Sequence, residues 1–172
     1  MTADPRRRAL LLALAAAPLA ALPLRAEDAP ILIDWPDLIP PEVGSIYRGI
    51  ASMGVVEHGA LSVIPGAEEA FTAVTDKFNG KRVKMPGFII PLDDGVEGVR
   101  EILLAPFVGA CIHVPPPPPN QLVYVKARTP YRDAGLFDPV WVTGIMSTAA
   151  QSTELADVGY MLDADTIEPY DG

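Results

Sequence analysis

The chain has 172 residues, 22 acidic against 13 basic side chains, a formal net charge of −9, and a single cysteine. Such acidity argues against nucleic acid or anionic lipid as a partner, because either needs a basic face. One cysteine excludes an internal disulfide, so no covalent staple is available in an oxidising compartment.

In chain order, residues 1–26 read as a secretory signal peptide. Arg6, Arg7 and Arg8 precede an apolar run over 9–22, and Ala26 is a small residue suited to the position before a cleavage site. The run has fourteen residues and contains Pro18, short of the roughly 20 that a membrane span needs. Arg7-Arg8-Ala9-Leu10-Leu11 is also similar to a twin-arginine export signal, with an ordinary secretory signal as the alternative. Without residues 1–26 the chain keeps 9 basic and 21 acidic residues, a net charge of −12. The expectation is a soluble periplasmic protein with no transmembrane segment in its mature chain.

Residues 27–41 carry Pro30, Pro36, Pro40 and Pro41 and predict an extended arm, with Trp35 and Leu38 packed on the domain that follows. Residues 42–66 read as irregular, with a short helix before Gly59. A helix is predicted over 67–78, where Ala70, Phe71, Val74 and Phe78 recur at helical spacing and Glu68 and Glu69 lie in the first turn. Everything after Gly80 reads as β. Strands are predicted over 82–92, 99–107, 122–127, 139–146 and 160–168, with a turn at Asp93-Asp94-Gly95 and a polar excursion over 148–158. The expected fold is mainly β: a small antiparallel five-stranded barrel of the oligonucleotide/oligosaccharide-binding type, with one short helix and an extended N-terminal arm, residues 42–172 forming a single domain.

The densest chemistry lies in Gly109-Ala110-Cys111-Ile112-His113-Val114, followed by Pro115, Pro116, Pro117, Pro118 and Pro119 and then Asn120-Gln121. On a strand, the spacing of Cys111 and His113 turns both to one face. A thiolate beside an imidazole suits zinc, with copper as the alternative. Two ligands do not close a tetrahedral site; His58, Glu57, Asp93 and Asp94 are candidates for the rest. The same pair suits a base-assisted nucleophile oriented by Asn120, and the plainest reading is a half-buried cysteine capped by a histidine. The proline run reads as a stiff polyproline II ridge, packed locally or docked on a partner. Asn120 and Gln121 are expected to hydrogen-bond backbone at its end. No Gly-rich phosphate loop, HExxH, paired CxxC or serine elbow appears, which places a non-enzymatic role ahead of a cysteine-dependent periplasmic enzyme.

Three stretches together carry a resemblance: Trp35-Pro36-Asp37-Leu38-Ile39-Pro40; Gly80-Lys81-Arg82-Val83 through Pro86-Gly87-Phe88-Ile89-Ile90-Pro91-Leu92; and Leu103-Leu104-Ala105-Pro106 through Gly109 to Gln121. It continues through Asp138-Pro139-Val140-Trp141-Val142 and Ile167-Glu168-Pro169-Tyr170. The chain resembles an uncharacterised bacterial periplasmic family, a domain of unknown function marked by a GACIHxPPPPPNQ signature. Genes of that family often neighbour ABC transporters of the macrolide-exporter type or zinc-responsive clusters. The resemblance therefore implies an accessory role in metal handling or envelope transport, beside an ABC transporter permease or a periplasmic metal-binding protein. It implies no catalytic residues. The remaining class is a protein-interaction module that docks through the proline arm.

Overall fold

The computed structural model of the chain describes residues 29–53, 64–108, 117–132, 135–153 and 155–171. The expectations for residues 1–26, for Glu57 and His58, and for Cys111, His113, Pro115 and Pro116 fall outside the described residues.

Five strands close a barrel: β2 (Arg82–Pro91), β3 (Val99–Ala105), β4 (Val123–Tyr131), β5 (Pro139–Ser147) and β8 (Tyr160–Pro169). Their order is β2-β3-β4-β8-β5, and a β2–β5 pairing completes the ring. A two-residue strand, β1 (Ile31–Leu32), adds to β2 in parallel beside Val83 and Lys84. Two further short strands, β6 (Gln151–Ser152) and β7 (Asp157–Val158), pair within the excursion between β5 and β8.

The barrel matches the fold class read from the sequence, with one correction. It is not wholly antiparallel, because β4 and β8 run parallel from Val123↔Tyr160 to Ala127↔Ala164. Parallel neighbours need a long crossover, and here β5 and the excursion provide it. β2 serves two partners, β5 along Arg82 to Phe88 and β3 along Phe88 to Pro91. Gly87 sits at this change of partner, where a Cβ would come within 2.6 Å of the Leu104 side chain. Only a residue without a side chain lets β2 fold over β3 so closely.

Strict alternation along β2 buries every second residue from Val83 to Ile89. Val83, Met85, Ile89, Ile102, Leu104, Val123, Val125, Val142 and Leu162 belong to the main core. Leu103, Ala105, Leu122, Tyr124 and Ile90 form a second cluster with Val158. The interleaved numbering of Ile102 and Leu104 with Leu103 and Ala105 means that β3 is buried on both faces over these four residues. This explains why its sequence is a continuous apolar run rather than an alternating one.

The helical segments differ from expectation. Among the described residues there are two short α-helices: α1 (Gly44–Ala51), where a short helix was expected before Gly59, and α2 (Ala67–Thr72), at the start of the helix expected over 67–78. They meet through an edge-to-face contact of Tyr47 and Phe71, with ring centroids 5.7 Å apart. The predicted helix over 67–78 stops at Thr72. Ala73 is extended (φ −62, ψ 135), and a separate 3-10 turn follows at Asp76–Phe78, capped by the Thr75 side chain. The residues at 73–75 leave the helix because tertiary partners take over their backbone groups, as described below.

The N-terminal arm also contains a 3-10 turn, Trp35–Leu38. Asp34 and Asp37 cap it reciprocally: the Trp35 N–H donates to Asp34 Oδ1 at 2.8 Å, and the Asp34 N–H donates to Asp37 Oδ2 at 3.1 Å. Pro36 is tolerated because a first-turn N–H has no helical acceptor in any case. Trp35 and Leu38 are buried in the main core as the sequence predicted. Among the described residues no helix is long and apolar enough to cross a membrane.

Candidate functional site

The signature segment connects the end of β3 to the start of β4, and its downstream end is fixed by an unusual number of polar contacts. Pro117 is buried, Pro118 and Pro119 are half-buried, and a 3-10 turn spans Pro119–Gln121. Asn120 is fully buried. Its Nδ2 donates to two carbonyls at the end of α2, Ala70 O at 2.8 Å and Ala73 O at 3.0 Å. These groups are left without helical donors at a helix C-terminus, and one amide nitrogen satisfies both. Gln121, 4% exposed, donates from Nε2 to Trp35 O at 3.1 Å and to Asn120 O at 2.8 Å. The arm, α2 and the signature segment therefore share one polar junction.

Tyr160 completes that junction from β8. Its ring is fully buried; its hydroxyl donates to Leu38 O at 2.7 Å and accepts the Thr75 N–H at 2.7 Å. Burial pushes the phenol up to about 12, so the hydroxyl keeps its proton across the physiological range. Sequence reasoning expected Asn120 and Gln121 to bond backbone, and they do. It missed Tyr160, which looked like an ordinary strand residue; nothing local in the sequence marks a tyrosine whose partners lie 85 and 122 residues away.

Gly159 precedes Tyr160, and its N–H donates to Pro119 O at 2.7 Å. A Cβ at this position would come 2.7 Å from Val74 Cγ1 and 3.1 Å from Pro119 O. Val74 is 38% exposed and can swing aside, whereas Pro119 cannot. Gly159→Ala is expected to cost about 1–2 kcal/mol, read as a lowered midpoint in denaturant with an unchanged m-value.

Among the described residues, the site residues expected from the sequence have structural uses or stand in solvent. Asn120 and Gln121 spend their amides inside the junction, so a docking partner has no access to either, and the described part of the proline ridge is turned at least partly inward. Asp93 accepts the backbone N–H of Arg100 at 3.0 and 3.2 Å and of Glu101 at 3.3 Å. Its carboxylate closes the β2–β3 turn, which is a structural use of both oxygens. Asp94 is exposed. Among the described residues no group of three or more His, Cys, Asp or Glu side chains is placed to hold a metal ion.

These features define a class: a small closed five-stranded barrel whose long connection between the second and third barrel strands is rooted in a buried amide and phenol junction. The chain belongs to the DUF3299 family, described as a protein of unknown function, which it matches over residues 35–169. The resemblance read from the sequence is thus confirmed at the level of an uncharacterised domain family. A crystal structure of a DUF3299 family protein from Pseudomonas aeruginosa PAO1 is similar with a TM-score of 0.65 and 35% identity, covering 84% of this chain and 98% of that one. OBody AM3L09 bound to hen egg-white lysozyme is 18% identical over 55% of this chain and 86% of its own, with a TM-score of 0.34. No curated protein matches the chain.

Proposed function

We propose that the protein is a periplasmic accessory factor for metal handling, taking up zinc, or copper as the alternative, through Cys111 and His113. The observation that carries this reading is the root of the connection bearing the only thiol. Asn120 and Gln121 are buried and hydrogen-bonded at the end of a proline run. Polyproline II is stiff without internal hydrogen bonds, and Pro118 at the described end of the run has that conformation (φ −64, ψ 158). A soft thiolate and an imidazole two residues apart supply part of a coordination sphere. An incomplete sphere suits passage of metal to a partner better than permanent storage. An ABC transporter permease or a periplasmic metal-binding protein would be that partner. The basic and apolar opening of the sequence supports an exported location.

The test is the metal content of purified protein beside Cys111→Ser and His113→Ala. Stoichiometric zinc is expected in the parent and loss of it in both variants. Zinc affinity should also rise with pH, because binding releases the thiol proton. A metal-free parent with rapid, selective alkylation of Cys111 at neutral pH would replace this reading with a cysteine nucleophile. A metal-free parent with an inert thiol would leave an interaction module.

A further inference from the structure

The second apolar cluster lies outside the barrel, where the outer faces of β2, β3 and β4 are covered by the excursion that carries β6 and β7. Along its edge opens a groove of about 450 Å3, lined among others by Pro91, Leu92, Glu101, Tyr124, Gln151 and Leu155. That size suits a small ligand or two to three residues of peptide. Its position has weight of its own. In barrels of this type the binding face is formed by the second and third strands, flanked by the loops joining strands one to two and four to five. β3 and β4 are the second and third barrel strands; Leu92 begins the first of those loops, and Gln151 and Leu155 belong to the other.

The lining is chemically one-sided. Glu101 is exposed and contributes a carboxylate, while no lysine or arginine among the described residues lines the groove. Lys126 is the cross-strand partner of Glu101 by register, yet the two form no ion pair among the described residues. Tyr124, nearly buried, lines the same groove as Glu101 and Gln151. Burial first, then Glu101 and the charge of Asp93, push the Tyr124 phenol up, so the groove holds a neutral hydroxyl together with the carboxylate. Beside this polar end, Leu92 and Leu155 present aliphatic surface, Leu155 being half exposed.

We propose that this groove binds an alkylammonium or guanidinium group on an aliphatic stem, with Glu101 as the counter-charge and Leu92 and Leu155 flanking the stem. An anion would meet Glu101 with no compensating cation among the described lining residues. A flat sugar ring would lack a stacking platform, since the Tyr124 ring is packed in the apolar cluster. The chemistry is shared by two sources, a lysine or arginine side chain of a protein segment and a free aliphatic amine.

The test uses the full chain at neutral pH and two probes, an acetylated Gly-Lys-Gly amide and cadaverine, titrated with amide chemical shifts as the readout. Shifts are expected at residues 91–92, 101, 124, 151–153 and 155. Glu101→Gln should weaken binding by about tenfold or more, as expected for loss of a charge partner. Glu97→Gln, an exposed acid outside the groove, should leave binding unchanged, and thermal melts of both variants establish that they fold. Binding of the peptide alone assigns the site to a protein segment; binding of cadaverine alone, to free amines; binding of both, to the ammonium group itself. The proposal is overturned if neither probe binds, if Gly-norleucine-Gly amide binds as well as the lysine peptide, or if Glu101→Gln binds like the parent. None of these outcomes depends on whether Cys111 and His113 take metal.

Discussion

Tyr160→Phe should destabilise the protein by about 3 kcal/mol at neutral pH, measured by denaturant unfolding. The substitution keeps the ring that fills the core and removes only the hydroxyl. The Thr75 N–H and the Leu38 carbonyl then lose their shared partner, at 2.7 Å each. A buried backbone group left unsatisfied costs about 1–3 kcal/mol, and two are affected, one of them only partly buried. The same variant should change the alkaline limb of the stability curve. In the folded protein the Tyr160 phenol is raised to about 12, chiefly by burial; the Thr75 N–H donated to its oxygen opposes the shift and Asp76 adds to it. In the unfolded chain it titrates near 10. Between those values the folded state holds a proton that the unfolded state has released. Stability therefore falls as pH rises, by about 1.4 kcal/mol per unit for this group, and levels above pH 12. Below pH 10 the contribution is fully present. Tyr47 and Tyr124 are also raised and add slope of the same sign in both proteins. The difference between parent and variant isolates Tyr160, and parallel curves from pH 9 to 12 would refute the assignment.

The parts of the fold that local pattern controls were legible. Alternation along Arg82–Pro91 and the branched, aromatic character of Pro139–Ser147 follow from one face being buried, and that information is carried residue by residue. The parallel pairing of β4 and β8 was not legible, because strand order depends on contacts made across the whole barrel and leaves no trace in either strand. The helix over 67–78 failed for a related reason. Its apolar spacing is real, but the carbonyls of Ala70 and Ala73 are claimed by Asn120 and the N–H of Thr75 by Tyr160. Those long-range partners outweigh a weak local propensity in a segment that includes β-branched Thr72, Val74 and Thr75. At the candidate site, chemistry was legible before geometry. A polar Asn-Gln pair after five prolines needs partners, and a thiol two residues from an imidazole has ligand character. Neither observation discloses that Asn120 and Gln121 face inward onto α2 and the arm.

Asn120 offers the sharper experiment on that junction, because a nearly isosteric change reverses its chemistry. Asn120→Asp should destabilise the protein by about 3–5 kcal/mol at pH 7. The amide nitrogen that now serves Ala70 O and Ala73 O becomes an oxygen facing two carbonyl oxygens, and it carries charge in a fully buried position. The other amide atom does not soften the change, since Asn120 Oδ1 has no hydrogen-bond partner and no donor waits there for a carboxylate. Burial raises the carboxyl pKa of the folded variant above its unfolded value. Its deficit should therefore shrink as pH falls toward 4, where a protonated acid regains one donor, and grow as pH rises. Asn120→Ala lacks the charge and should cost about 2–4 kcal/mol with no such pH dependence. Hydrogen exchange separates local from global effects. If Asn120 roots the signature segment, the amides of Gln121 and Gly159 should lose protection in Asn120→Ala by more than the amides of β2 do. Equal loss throughout would mean that the junction merely adds to overall stability. A selective loss would mean that two backbone carbonyls at the end of a six-residue helix, captured by one side chain, hold in place the Pro118–Gln121 end of the connection between β3 and β4.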